Sequence, residues 1–370
     1  MNSALRPSVI IPAALVLTVA AGALSWFYLG GEPVRPKPVL PALAPKAAAF
    51  KPELKPVLQT ATPPAAEEPE VKPNEGLAKL SRNGQNTKLT AEQLQAYILQ
   101  NKGSAESLLT ASRISGDLNL LRQAGKQFPN DPRVQLDLAT RSDNPKERRS
   151  AIDALRQSAP DNAMGDYLSA LDNFKGNNPA AALEDLKASA GKAQLEDYGV
   201  QNLQAAEEAY QAAGYSPLDA KAAAMSGLLM PQMQQLNQLG GDLAALQQSY
   251  MKAGDMASAE SVSRSAMAVA QQVESQLGHQ FLLSDLVGIS MEAKVLASID
   301  PSSVLDASGL TAQQRMDQLN QERANLKNLA GTNLNVLQNM PSWMVDAYFN
   351  RAKLYGEAEA IRWLNSVSGQ

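Results

Sequence analysis

The chain has 370 residues, 44% of them hydrophobic and 5% aromatic, with a net charge of -4, no Cys and a single His, His279. That length allows one large domain or two ordinary ones. The missing Cys excludes disulfides, thiolate metal sites and thiol catalysis, and the mildly acidic balance gives no whole-protein field to attract nucleic acid. A zinc site built on several imidazoles is excluded too, and any Ser-His-Asp triad would have to use His279.

Residues 1–8 form a short N-terminal tail, followed by "VIIPAALVLTVAAGALSWFYL" at 9–29, which carries no charge. At about 1.5 Å per residue this segment is roughly 30 Å long as a helix, enough to cross a bilayer. Trp26, Phe27 and Tyr28 sit at its end, where an interfacial aromatic belt belongs. The expectation is a single transmembrane anchor. A cleaved signal peptide is the open alternative, because Arg6 precedes the apolar run and "AGA" at 21–23 suits a peptidase. Arg35, Lys37 and Lys46 after the span favour a cytoplasmic body by charge. The eight-residue tail, the signal-like segment and the extended stretch that follows favour an extracytoplasmic, periplasmic body, and that is the expected side.

Residues 30–88 read as a disordered Pro-rich linker. Eleven of the 22 prolines fall between Pro33 and Pro73. Proline removes backbone donors and fixes φ, so neither helix nor sheet persists there. In polyproline form such a stalk reaches on the order of 100 Å. "PVRP" and "PVLP" fit the pattern of SH3-type ligands, but a spacer is the plainer reading.

From 89 to 370 the vocabulary is Ala, Leu, Gln and Ser, which favours helices over strands. "TAEQ" at 90–93 has the form of a capping box, and "TAQQ" at 311–314 repeats it. Asn144-Pro145 and Asn178-Pro179 each place a capping residue before proline at the first helical position. Helices of about 12–20 residues joined by short loops are expected throughout. No stretch alternates with period two long enough to suggest a sheet.

The helices recur in pairs. "FPNDPRV" at 128–134 is echoed by "APDNAMG" at 159–165, and "EAYQAAGYS" at 208–216 by "QSYMKAGDM" at 248–256. Offsets of this size mark an array of α-hairpins. In the second pair Leu243, Leu246 and Tyr250 share one helix face, Gly254 closes that helix and Asp255 caps the next. Ala259, Val262, Ala266, Val269 and Val273 then form an inner seam, with the small residues where the helices cross.

This pattern resembles the tetratricopeptide repeat. Leu246, Tyr250, Gly254, Ala259 and Ala266 match its Leu, Tyr, Gly, Ala and Ala slots, and Leu168, Ser169, Gly176, Ala181 and Ala188 give a second match. Tyr210 with Gly214 is a partial third, and 350–364 looks like a degenerate last hairpin. The first-helix Trp of the repeat is missing. The resemblance covers 104–275 well and the rest loosely, and it implies an all-α, right-handed superhelix. One span, a Pro-rich stalk and such a body together resemble bacterial envelope proteins of that type.

The resemblance implies a non-catalytic, membrane-tethered interaction scaffold that holds a peptide or helix of a protein partner on a concave face lined by first helices. Gln201, Asn202, Gln234, Gln235, Asn237 and Gln247 are the polar candidates for that face. No cofactor, metal or nucleic acid is expected. The rival reading is a self-assembling structural envelope protein, a homo-oligomer docking through Trp343, Tyr348, Tyr355 and Trp363.

Other motifs carry less. His279 lies six residues from Asp285, off its helical face, and reads as structural. "SYMK" at 249–252 and "SDN" at 142–144 mimic two acyl-transfer motifs, but in reversed order and without a following "KTG". Seven of the 12 Met residues fall between Met225 and Met291, which suits core filling, a promiscuous groove or Cu(I) thioether ligation. Glu207-Glu208 and "KERR" at 146–149 read as solvated charge.

Overall fold

The computed structural model describes residues 88–305, 309–331, 337 and 339–368. The expected span at 9–29, and all but the last residue of the linker, lie outside the described residues. No helix among the described residues is long and apolar enough to cross a membrane.

The described chain is all-helical, with only two isolated β-bridges and no strands. In chain order the helices are α1 Ala91–Gln100, α2 Ala105–Ser115, α3 Leu118–Gln127, α4 Pro132–Arg141, α5 Pro145–Ser158, α6 Met164–Lys175, α7 Pro179–Ser189, α8 Gly199–Ala212, α9 Pro217–Ser226, α10 Pro231–Lys252, α11 Met256–Gln272, α12 Leu282–Leu296, α13 Ala312–Gly331, α14 Ser342–Tyr355 and α15 Glu357–Ser368. Five residues of π-helix, Val273–Leu277, extend α11.

Local chemistry sets the starts and stops. The Gln93 backbone N–H donates to Thr90 Oγ1, and Gln93 Oε1 accepts from the Thr90 N–H, a complete capping box. Thr311 and Gln314 repeat it ahead of α13. Asn144 and Asn178 cap α5 and α7, each followed by proline at the first helical position. Gly254 at φ 78° stops α10, and Asp255 caps α11 by accepting from the Ser258 N–H at 3.0 Å.

The seam also forms. Ala259, Val262, Ala266, Val269 and Val273 are all buried, while Leu246 and Tyr250 pack partly exposed against the same core. Helix α10 runs to 22 residues, past the 12–20 expected, and continues through Gly240 and Gly241.

Three consecutive hairpins, α2/α3, α4/α5 and α6/α7, stack in a row. The chain then departs from a linear array, in which each hairpin would touch only its neighbours. Helix α8 folds back onto α1 and α2, where the Tyr97 hydroxyl donates to the Ala205 carbonyl and Gln93 Nε2 to the Ala213 carbonyl. Helix α10 lies against α4 and α6, with α11 and α12 packed on it. The helices that lead the three hairpins are therefore covered by a second layer of the same chain.

Leu108, Leu121, Ile152, Met164, Met233, Leu236 and Leu243 are buried in one core that these helices share. At the crossing of α10 and α12, a Cβ on Gly240 would lie 2.6 Å from Met291 Cγ and 3.2 Å from its Cα, so the absence of a side chain at 240 lets α12 come this close. A second core, formed by Val345, Tyr348, Phe349, Ile361 and Leu364, joins α14/α15 to α9 through Ala222. Arg315 on α13 ties this end together. Its guanidinium meets Glu292 at 2.7 and 2.8 Å, Glu322 at 3.0 Å and Glu274 at 3.6 Å.

Candidate functional site

The six polar candidates do not share one surface. Gln201 is exposed and Asn202 half-buried on the first turn of α8, and Gln234 is exposed on α10. Gln235 donates to the Thr140 carbonyl on α4 at 3.0 Å. Asn237 is buried, its Oδ1 accepting from Ser290 Oγ at 3.0 Å and Lys294 Nζ at 2.6 Å. Gln247 is buried as well. Gln235, Asn237 and Gln247 thus belong to the internal packing of α10. A helical face rich in Gln and Asn looks solvated in sequence, yet here Gln235 bonds to α4 and Asn237 to α12, while Gln247 Oε1 is buried without a hydrogen-bond partner.

Three other readings are corrected. Glu207 is buried and meets Lys353 Nζ at 2.5 Å, whereas Glu208 is exposed. In "KERR", Arg148 bonds Asp172 on α6 at 3.1 Å and Arg149 bonds Ser169 on α6 at 2.9 Å, so these two arginines join helices, whereas Lys146 is exposed. Tyr348 is core, whereas Trp343 and Tyr355 are exposed and Trp363 is half-buried beneath the Arg351 guanidinium, 5.0 Å from its ring centroid.

His279 contacts Asp285 through its backbone, the N–H donating at 3.1 Å. Met230, Met233 and Met291 are buried, and Met256 is exposed. Lys294, bonded to Asn237, is pushed down to about 8, first by burial and next by the Arg323 charge, against the opposing pull of Asp242. Among the described residues, no three or more His, Cys, Asp or Glu side chains are placed to hold a metal ion.

The most unusual geometry lies between α7 and α8. Gly191, at φ 105°, turns the chain out of α7, and the next residues run extended as a strap to Tyr198. On one edge, the Gln194 carbonyl accepts from the Ala163 N–H at 2.8 Å, and its N–H donates to the Asp161 carbonyl at 3.3 Å. The Asn162 amide reads Glu196 in both directions: Nδ2 donates to its carbonyl, and Oδ1 accepts from its N–H, each at 3.0 Å.

On the other edge two glutamines spaced four apart at the end of α11 do the same work. Gln272 Nε2 donates to the Lys192 carbonyl at 3.1 Å. Gln276 Nε2 donates to the Ala193 carbonyl at 3.1 Å, and its Oε1 accepts from the Leu195 N–H at 2.5 Å. The π-turn that ends α11 carries Gln276. Tyr198, at φ 58°, sits in the left-handed region, a strained conformation for a bulky residue.

Strap side chains divide by environment. Lys192 Nζ reaches the fully buried Asp166 at 2.5 Å, where Arg156 Nε also arrives at 2.8 Å. Arg156 continues to Asp185 at 3.1 Å. Leu195 is buried, while Ala193, Gln194 and Glu196 are exposed. Tyr167 donates to Gln272 Oε1, and its hydroxyl is pushed up to about 12, chiefly by burial.

Asp197 is buried. Its Oδ1 accepts from the Gly199 N–H and its Oδ2 from Gln232 Nε2, both at 2.9 Å, which anchors the start of α8. Between strap and π-turn lies a cleft of about 330 Å³, lined by Gln194, Glu196, Tyr198, Gln201, Gln276 and Gln280 among others. Amides of this kind donate and accept at once, as a peptide main chain requires. Of the sequence candidates, only Gln201 lines this cleft.

Comparison with protein-family models, with curated proteins and with solved structures returned no match to this chain.

Proposed function

We propose that the chain is a non-catalytic, membrane-tethered interaction scaffold of tetratricopeptide-like hairpins, and that it holds an extended segment of a protein partner at the cleft between Leu195–Gln201 and Gln276–Gln280. One observation carries this reading: beside the cleft the protein already grips an extended stretch of its own backbone with side-chain amides from Asn162, Gln272 and Gln276. That chemistry reads a main chain whatever its side chains. The inner faces of α2, α4 and α6, where a tetratricopeptide superhelix would take its ligand, are engaged by α8 and α10. The binding role therefore passes to the cleft. The apolar segment 9–29 and the Pro-rich linker support a periplasmic body held off the bilayer.

The test is site-specific photocrosslinking from Gln201 and Gln280 in the full-length protein in its native membrane, with the exposed Glu260 as control. The expected outcome is a shared crosslinked partner from the first two positions and none from Glu260. Equal labelling from all three, or none from the cleft, refutes the assignment.

A specific observation also favours self-assembly as a second reading. Trp343, Leu354 and Tyr355 are all more than 60% exposed on the last hairpin, and exposed apolar patches mark interaction surfaces. Light scattering over a concentration series, repeated with Trp343→Ser, decides it: a mass that does not change with concentration removes this reading.

A further inference from the structure

The strap between α7 and α8 is built as a bound peptide. The links inside the stacked hairpins from α2 to α7 span at most five residues, whereas this one takes all of 190–198. Nearly every hydrogen bond that holds it comes from outside itself and reaches its main chain: Asp161 and Ala163 by backbone, and Asn162, Gln272 and Gln276 by side chain. Only two side chains of the extended stretch 192–196 go inward, Lys192 to Asp166 and Leu195 to the core.

Both ends of the strap are in left-handed backbone, Gly191 at φ 105° and Tyr198 at φ 58°. Glycine adopts this freely, but tyrosine is strained there, and release of the strap would relieve it. Withdrawal of Lys192 would not strand Asp166, because Arg156 remains on it at 2.8 Å. The carboxylate at the base of the groove thus keeps a cation when the strap leaves.

Resting on the proposed scaffold role, we infer that residues 191–197 stand in, within the chain, for the partner's segment: the groove takes an extended peptide with Lys three residues before Leu, and a partner first held at the neighbouring cleft then displaces the strap from it. The buried Asp166 selects the cation, the Leu195 pocket selects the apolar side chain, and the amides hold the main chain between them. The Leu195 contact keeps the groove closed until a competing segment supplies the same pair of side chains.

The experiment uses the full-length protein in detergent and a fluorescein-labelled peptide of the sequence AGKAQLEDY, residues 190–198, read by anisotropy. In Leu195→Ser the strap is loosened, and binding of the peptide tightens by roughly tenfold or more over the wild type. The same peptide with its Lys and Leu replaced by Glu and Ser binds roughly tenfold more weakly. A Leu195→Ser protein with wild-type helical circular dichroism that binds neither peptide, or both alike, overturns the inference.

Should that variant unfold, hydrogen exchange on the wild type takes its place. The Gln194, Leu195 and Glu196 amides exchange through an opening that leaves α6 and α11 protected, and protection equal to those helices overturns the inference. Crosslinks from Gln201 and Gln280 without peptide exchange leave the cleft reading standing and remove only the strap; loss of both removes both.

Discussion

Gly240 and Gly241 are adjacent on α10 and alike in sequence, yet replacing each by Ala should move stability in opposite directions. A Cβ at 240 would lie 2.6 Å from Met291 Cγ, 3.0 Å from its Cβ and 3.2 Å from its Cα. Comfortable carbon contacts are about 3.5–4.0 Å. Rotation of the Met291 side chain can move Cγ but not Cα, so α10 and α12 must part. Overpacking of this kind costs about 1–3 kcal/mol. Alanine recovers about 0.8–1.0 kcal/mol of helix propensity over glycine. The net expectation for Gly240→Ala is a loss centred on about 1 kcal/mol, within a span from near zero to about 2 kcal/mol. At 241 the nearest atom to a new Cβ is Lys294 Nζ at 4.0 Å, so Gly241→Ala keeps the propensity gain of about 1 kcal/mol without a clash. Urea unfolding followed by far-ultraviolet circular dichroism separates the two as shifts in midpoint at constant slope. Gly240→Ala as stable as Gly241→Ala would refute the close crossing, and with it the placement of α12 on α10.

Three further outcomes follow from buried polar groups. Glu357 and Asp285 are both held above their usual carboxyl range, first by burial; the Leu282 N–H opposes the rise at Glu357, and the His279 backbone N–H with the His279 and Arg362 charges opposes it at Asp285. A raised acid contributes stability that is full below its unfolded pKa and is lost as pH rises through the folded one. These two groups therefore contribute a fall in the thermal midpoint as pH rises above about 4, opposite in sign to the contribution of lowered carboxyls such as Asp131 and Glu147. Glu357→Gln, which keeps an acceptor for the Leu282 N–H, should flatten that fall and raise the midpoint at neutral pH; an unchanged slope in calorimetry speaks against it. Arg315→Met strands Glu292, whose side chain is 2% exposed, beside Glu274 and Glu322. It should cost about 3–5 kcal/mol in denaturant titration, with Glu292→Gln in the same chain restoring part of the loss. Asn162→Ala leaves both main-chain groups of Glu196 and the Met164 N–H without their side-chain partner. Exchange protection at 194–196 should then drop while α10 is unaffected, and unchanged protection would disprove the clamp.

Local signals in the sequence were legible wherever chemistry was local. Thr90 with Gln93, Asn144 with Pro145, and Gly254 with Asp255 each act within a few residues, so their patterns mean the same thing in any fold. The Ala259–Val273 seam was legible because a hairpin buries its own inner side. What the sequence hid is contact at a distance. Gln235 and Asn237 carry no mark that α4 and α12 will lie against them. The strap escaped notice because "GKAQLED" has neither alternation nor turn chemistry of its own: its geometry is imposed by Asn162 and by Gln272 and Gln276, some 80 residues on. A Gln-x-x-x-Gln pair ending a helix was the one trace, and without its partner it looks like ordinary surface.

The return of α10 to α4 and α6 also governs how the molecule is made. A row of self-sufficient hairpins could settle one after another as it emerged. Here α6 is complete at Lys175, yet the helix that covers it ends only at Lys252. At about 5–20 residues per second of synthesis, the apolar faces of the early hairpins wait on the order of ten seconds for their cover. Deleting a hairpin would therefore yield an uncovered remnant instead of a shorter relative.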